Sequence, residues 1–206
     1  MEYDAEKREI NFEEKVLDTL DKFTIDFVNI LEKHTGYVVV SGYVSIALGR
    51  TRASEDIDLL IPKMSLSEFV ILFEDLVKSG YECANTSKPK DAYEMLGAHA
   101  IRFYKGIPLP NIEFKLISND IHKTAFENRI KLILKGKSLF ISPLELQIAY
   151  KLSLMSNGSL EEISSDKDFE DAKHLYDLFK DKLDMEKLLY FVRQFKVERK
   201  WGVLQK

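Results

Sequence analysis

Residues 37–62 read YVVVSGYVSIALGRTRASEDIDLLIP, and no other stretch restricts the fold as much. Tyr37 to Val40 is a short, β-branched run of the kind that forms a buried strand. Ser41-Gly42 then opens a short helix that Gly49 closes. Asp56 to Ile61 is the next strand, stopped by Pro62. Within it Asp56 and Asp58 alternate with Ile57, Leu59 and Ile61. Side chains two apart on a strand share a face, about 6.5–7 Å apart at Cα. The two acids therefore project together while Ile57 and Leu59 turn to the core.

Paired carboxylates this close repel each other unless a cation sits between them. Magnesium meets that demand, because it prefers hard oxygen ligands and takes one or two carboxylates plus substrate phosphates. Upstream, the strand-to-helix junction at Ser41-Gly42 offers backbone N–H groups to a phosphate. A glycine there lets the phosphate come close to the backbone.

The rest of the chain frames this unit. Phe12, Val16, Leu17, Leu20, Phe23, Phe27, Ile30 and Leu31 recur at three- and four-residue steps, which predicts an amphipathic helix over residues 11–34. Ser65 or Ser67 caps a predicted helix through Val77, with Phe69, Leu72, Phe73 and Leu76 on one face. Residues 85–97 carry no clear period, and NTSKPKD reads as a loop. Strand signals return at His99 to Tyr104 and Ile112 to Ile117, joined by the turn-rich KGIPLPN. A further pair, Ile130 to Leu134 and Ser138 to Ile141, flanks KGK. From Pro143 onward the pattern is helical, over 143–155, 166–180 and 184–195, with MSNGSLEE as a flexible interruption. The chain thus divides near residue 142 into an α/β half, 1–142, and a helical half, 143–206.

Composition removes several classes of function. The chain has 206 residues, 45% apolar and 31% charged, which describes a soluble globular protein. A net charge of -4 gives no overall attraction to nucleic acid. Cys83 is the single cysteine, so no internal disulfide or cysteine-rich zinc site forms, and the four histidines show no metal-ligand spacing. The acidic start MEYDAEKREI is not a secretory signal, and the uncharged run Tyr37 to Gly49 is too short to span a bilayer. The expected location is cytoplasmic, away from membranes.

The glycine turn and the acid pair together resemble the nucleotidyltransferase superfamily related to DNA polymerase β. Its pattern runs from a hydrophobic residue and Gly-Gly or Gly-Ser, through nine to thirteen residues, to two acids flanking one hydrophobic residue. Here 13 residues separate Gly42 from Asp56. Either Ser41 replaces the first glycine of the pattern, or Tyr43 replaces its second residue. The resemblance implies a nucleotidyltransferase-fold mixed sheet with flanking helices, followed by a C-terminal helical bundle. It implies a third carboxylate from a later strand, and LPNIEFKLIS supplies Glu113 between Ile112 and Phe114. Asp56, Asp58 and Glu113 would then hold Mg or Mn, with Glu113 able to take the proton of the attacking hydroxyl.

The helical half is similar to the small prokaryotic branch that contains the AbiEii-type toxins of abortive-infection systems. ISPLELQIAYKLSLMSN matches a helix that brings a lysine to the active site, here Lys151. SSDKDFEDAKHLYDLF matches the segment that follows, through Lys167, Asp168 and Asp171. What the resemblance implies is transfer of an NMP from an NTP to a hydroxyl. The acceptor would be a tRNA end, a protein or a small molecule, and a cognate partner protein belongs to a toxin–antitoxin setting. Nucleotide-binding residues by the same reading are Ser41, Gly42, Tyr43, Arg50, Arg52 and Asp168.

Several of these residues also have a plain structural reading. Arg50 and Arg52 bind phosphate or neutralise Glu55 and its neighbours. Glu113 beside Lys115 also suits the solvent side of a half-buried strand. Lys151 sits on a helix whose Leu144, Ile148 and Leu152 form a core stripe, where a lysine is ordinarily solvated. RIKLILKGK and KVERKWGVLQK read as solvated surface. The different class of function is a binding module that keeps the fold without catalysis.

Overall fold

The structure is a computed structural model that describes residues 1–155 and 165–205. Apart from Met155, the MSNGSLEE stretch lies outside the described residues. Nine strands form one mixed sheet in the order β1-β2-β8-β9-β3-β4-β7-β6-β5. These are β1 (Glu2–Asp4), β2 (Glu9–Phe12), β3 (Val38–Val40), β4 (Asp56–Ile61), β5 (Glu82–Cys83), β6 (Ile101–Lys105), β7 (Ile107–Leu116), β8 (Ile130–Leu134) and β9 (Lys137–Ile141). The helices are α1 (Thr19–Leu31), α2 (Gly42–Ala47), α3 (Leu66–Lys78), α4 (Pro89–Ala98), α5 (Asp120–Glu127), α6 (Leu144–Leu154), α7 (Lys167–Phe179), α8 (Met185–Gln194) and α9 (Glu198–Leu204). Among the described residues no helix is long and apolar enough to cross a membrane.

β4 lies in the middle of the sheet, antiparallel to β3 and parallel to β7. One face of these strands carries Ile57, Leu59, Ile112 and Phe114, all fully buried. α1 and α3 cover that face. Phe27 of α1 packs on Phe103 and Phe114, with ring centroids 5.9 and 6.1 Å apart, and Phe73 of α3 packs on Phe103 at 5.7 Å. The opposite face carries the polar residues of β4 and β7 together with the buried Leu60. One hydrophobic cluster runs from this sheet through Leu152 of α6, Leu175 of α7 and Trp201 of α9.

α3 has the start and the stripe that its sequence predicts. Ser65 and Glu68 form a reciprocal capping box, and Phe69, Leu72, Phe73 and Leu76 are its buried residues. The hairpin of β8 and β9 turns at Lys135 and Gly136, both with positive φ. Elsewhere tertiary pairing overrides the local signal. The helix predicted over 11–34 begins only at Thr19, because Asp18 and Asp21 close a capping box in front of it. Phe12 instead belongs to β2, which pairs with β8, and Val16 is 83% exposed. KGIPLPN is turn only at Gly106 (φ +77), and β7 starts at Ile107. The NTSKPKD loop ends at Lys88, where Pro89 opens α4. β1, β2, β5, α4, α5 and α9 have no counterpart in the predicted elements.

The segment before α1 has a definite task. The Lys15 ammonium donates to the Asp21 carboxylate at 3.0 Å and to the Ile46 and Ala47 carbonyls at 3.0 and 2.9 Å. It thereby neutralises a fully buried acid and closes the C-terminal end of α2. Lys15→Met leaves Asp21 buried without its cation and should lower the unfolding free energy by about 3 kcal/mol or more. Urea titration at neutral pH measures this, and a loss below about 1 kcal/mol would show the pair to be dispensable.

Candidate active site

The parallel register of β4 with β7 sets Asp56 opposite Asn111, Asp58 opposite Glu113 and Leu60 opposite Lys115. On the outer sides Val40 of β3 faces Asp58, and Arg102 of β6 faces Glu113. Directly opposed residues point to the same face, so Val40, Asp58, Glu113 and Arg102 form one row across four strands. Asp56 and Lys115 lie on the same face, each two residues along its own strand.

The carboxylates of this row are already neutralised. Lys115 Nζ stands 2.8 Å from Asp58 Oδ1 and also pairs with Glu113 Oε2, while Arg102 pairs with Glu113 Oε1. Asp56 is exposed and accepts from Asn111 Nδ2 at 2.7 Å. Burial pushes the Asp58 carboxyl above its ordinary value; Lys115 pulls against that, and the Glu113 charge adds to it. Burial also acts upward on Glu113, but Lys115, Asp58 and Arg102 outweigh it and hold that carboxyl below the usual range. Burial would lower the Lys115 ammonium, yet its two carboxylates raise it.

Asp56, Asp58 and Glu113 therefore share a face as the alternation predicts, but they do not close into a cage. Among the described residues no three His, Cys, Asp or Glu side chains are grouped so that they could hold a metal ion. Like-charged carboxylates cannot converge on empty space, and Lys115 takes the central place. The donor chemistry still fits a hard divalent cation: two carboxylates in register, a third one step along, and a position between them that a positive charge occupies.

The glycine turn differs from its expected use. Ser41, not Gly42, takes the positive φ of 64°, a backbone region that favours glycine. Its N–H donates to Gln147 Oε1 at 3.2 Å, and Gln147 Nε2 donates back to its carbonyl at 2.7 Å. The backbone amide is thus held by α6. Gly42 does allow a close approach, but the group that makes it is the Arg52 guanidinium, which a Cβ there would strike. Tyr43 is fully buried and donates to Asp21 at 2.8 Å, so its side chain belongs to the core rather than to a nucleotide.

Arg50, Arg52 and Lys151 meet at one acid. Asp171 of α7 is fully buried. It accepts from Arg52 Nε and Nη2 at 3.0 and 2.9 Å, from Lys151 Nζ at 2.8 Å, and from Arg50. Lys151, only 2% exposed, also pairs with Asp168 at 2.6 Å, and Arg50 pairs with Glu170. The arginines therefore neutralise α7 rather than Glu55. Lys151 is not solvated: its charge is taken up by Asp168 and Asp171. The Tyr150 hydroxyl is raised by burial and then by Asp58, while Lys115 and Lys151 pull against this and Asp168 adds to it.

Lys115, Arg102, Asn111 and Tyr150 were not among the candidates from sequence. Asn111 and Lys115 each lie two residues from Glu113, so strand alternation alone puts them on its face. Arg102 and Tyr150 need the tertiary pairing.

Asp171 gives a pH test. Burial raises its carboxyl, but Arg52 and Lys151 outweigh burial, so it lies below the ordinary aspartate value. A carboxyl depressed in the folded state contributes stability above its unfolded pKa, about 3.9, and loses that contribution as pH falls through the folded value. Asp171→Asn should cost about 3 kcal/mol at pH 7, because three cations lose their shared acid. The gap between variant and wild type should shrink below about pH 4 in urea titrations. A gap of constant size from pH 7 to pH 3 would deny Asp171 its role as an ionised hub.

No protein-family model matches the sequence, and no curated protein sequence does either. Solved structures do. The chain is similar to an antigenic nucleotidyltransferase-like protein from Paracoccidioides brasiliensis, with a TM-score of 0.54 at 17% identity, covering 92% of this chain and 94% of that one. It is also similar to the antibiotic-resistance factor ANT(2'')-Ia in solution, with a TM-score of 0.53 at 14% identity over 92% of this chain and 97% of that one. The crystal structure of ANT(2'')-Ia in complex with adenylyl-2''-tobramycin matches with a TM-score of 0.53 at 13% identity, over 88% of this chain and 99% of that one. At such identities the likeness speaks for architecture: the chain has a nucleotidyltransferase fold, a mixed α/β sheet followed by C-terminal helices.

Proposed function

We propose that this protein is a metal-dependent nucleotidyltransferase that moves an NMP from an NTP to a hydroxyl, releasing pyrophosphate. The observation that carries this reading is the register of Asp58 with Glu113, with Asp56 one step along the same face of a nucleotidyltransferase-fold sheet. Asp56, Asp58 and Glu113 are the residues that would hold Mg or Mn. The ion, when bound, supplies positive charge to the phosphates and to the attacking oxygen. Glu113, held ionised, is available to orient the acceptor hydroxyl and take its proton. Arg52, over Gly42, is the cation placed to meet a phosphate at the turn after β3. Lys151, Asp168 and Arg50 act from the second cluster, around Asp171.

The finer parts of the proposal rest on resemblance. The helical half, residues 143–206, is the C-terminal domain of this reading and shares one hydrophobic cluster with the sheet. The setting is cytoplasmic, in a toxin–antitoxin or abortive-infection system of the AbiEii type, with a cognate partner protein. RNA, protein and small molecules are all candidate acceptors. The ANT(2'')-Ia crystal, which contains adenylyl-2''-tobramycin, supports a hydroxyl-bearing small molecule. A second reading, a binding module without turnover, draws on Lys115, which already gives Asp58 and Glu113 a counter-ion.

One assay separates the two readings. The protein is incubated with each labelled NTP, Mg²⁺ or Mn²⁺, and total RNA or cell lysate. Label should pass covalently to one acceptor class. Asp58→Asn should abolish transfer, and Glu113→Gln should lower turnover by roughly 10² or more with nucleotide affinity kept within a few-fold. Nucleotide binding without transfer to any acceptor would establish the binding module instead.

A further inference from the structure

The Lys115 ammonium occupies the one position between Asp58 and Glu113. We infer that Lys115 is a resident counter-ion that competes with the divalent cation, so that metal enters only as this ammonium leaves. The inference rests on the metal reading above and goes beyond it, since that reading gives Lys115 no part.

The charges on this face carry the argument. Asp56, Asp58 and Glu113 bring three negative charges, and Arg102 and Lys115 bring two positive ones. A divalent ion added with Lys115 in place leaves the face positive, with two cations in contact across a few ångströms. The same ion with Lys115 displaced leaves it neutral. The side chains of Asp58 and Glu113 are 21% and 16% exposed, so the repulsion is only partly screened. Geometry permits the exchange. Arg102 reaches Glu113 from the outer strand through its other oxygen and can stay. The Lys115 side chain is 36% exposed, and its four-carbon stem can turn the ammonium out to solvent. Once out, the ammonium lacks an anion, and a substrate phosphate is of the right charge to receive it.

Mn²⁺ titration followed by the electron-spin signal of the free ion tests this on the full chain without any turnover. Lys115→Met should bind Mn²⁺ roughly tenfold more tightly than wild type, or better. Lys115→Arg keeps the charge and should bind no more tightly than wild type. Equal affinity of wild type and Lys115→Met overturns the inference while leaving the metal site standing. Binding by neither overturns the metal site itself, a separate failure. Should Lys115→Met not fold, the wild-type protein gives the answer through acylation of its lysines by an activated ester, read by mass spectrometry. Mn²⁺ should speed labelling of Lys115 several-fold as the amine is freed, and unchanged or slower labelling overturns the inference.

Discussion

Two carboxylates placed side by side on neighbouring strands need a cation, and the parallel register of β4 with β7 imposes that need here. Asp58 and Glu113 are opposed because Ile57, Leu59, Ile112 and Phe114 all have to reach the core under α1 and α3. A one-residue slip would bury the acids and expose those side chains, so the core that stabilises the sheet also fixes the acids. The electrostatic cost at the site is thus imposed by packing on the other face. Lys115 and Arg102 offset it from the same face.

Asp171 plays the corresponding part on the helical side, with the signs reversed. It is a single buried acid that gathers Arg50, Arg52 and Lys151. Three cations drawn from the loop after α2 and from α6 converge on α7, which ties that loop to α7. Removing any one partner leaves a charge stranded in a poorly hydrated place, the circumstance in which ion pairs matter most. Gln147, clamped on the Ser41 backbone, adds a neutral tie between α6 and the same turn.

Much of this was legible in the sequence where local chemistry decides the outcome. The alternation in DIDLLI specified β4 residue for residue, and Ser65 with Glu68 marked the start of α3. The shared face of Asp56, Asp58 and Glu113 follows from a period of two. What stayed hidden depends on pairing between distant segments. Phe12, Val16 and Leu17 continue the apolar spacing of α1, yet Asp18 breaks the helix and β8 recruits Glu9–Phe12 as a strand. Lys115 could be placed on the face of Glu113, but its partnership with Asp58 exists only through the β4–β7 register. Lys151 was legible as a residue of interest and not as a buried partner of Asp168 and Asp171, since α7 had first to be folded against α6.

The two positions that the sequence marks for ligands are both filled by the protein's own cations. Lys115 stands between Asp58 and Glu113, and Arg52 lies over Gly42. Filling them internally keeps the folded chain stable without ligand, because Asp58, Glu113 and Asp171 each keep a counter-ion. It also changes what binding means. Under the proposed function, a metal ion or a phosphate would not add to a vacant, charged surface; it would exchange with a side chain that already satisfies its partners. The affinity for either ligand alone is then reduced by the pairs it breaks. Anything that gives the released lysine or arginine a new partner restores that loss. A metal–nucleotide complex would offer both charges together, a cation for the carboxylates and phosphates for the displaced side chains, so the proposed function has it favoured over either part alone.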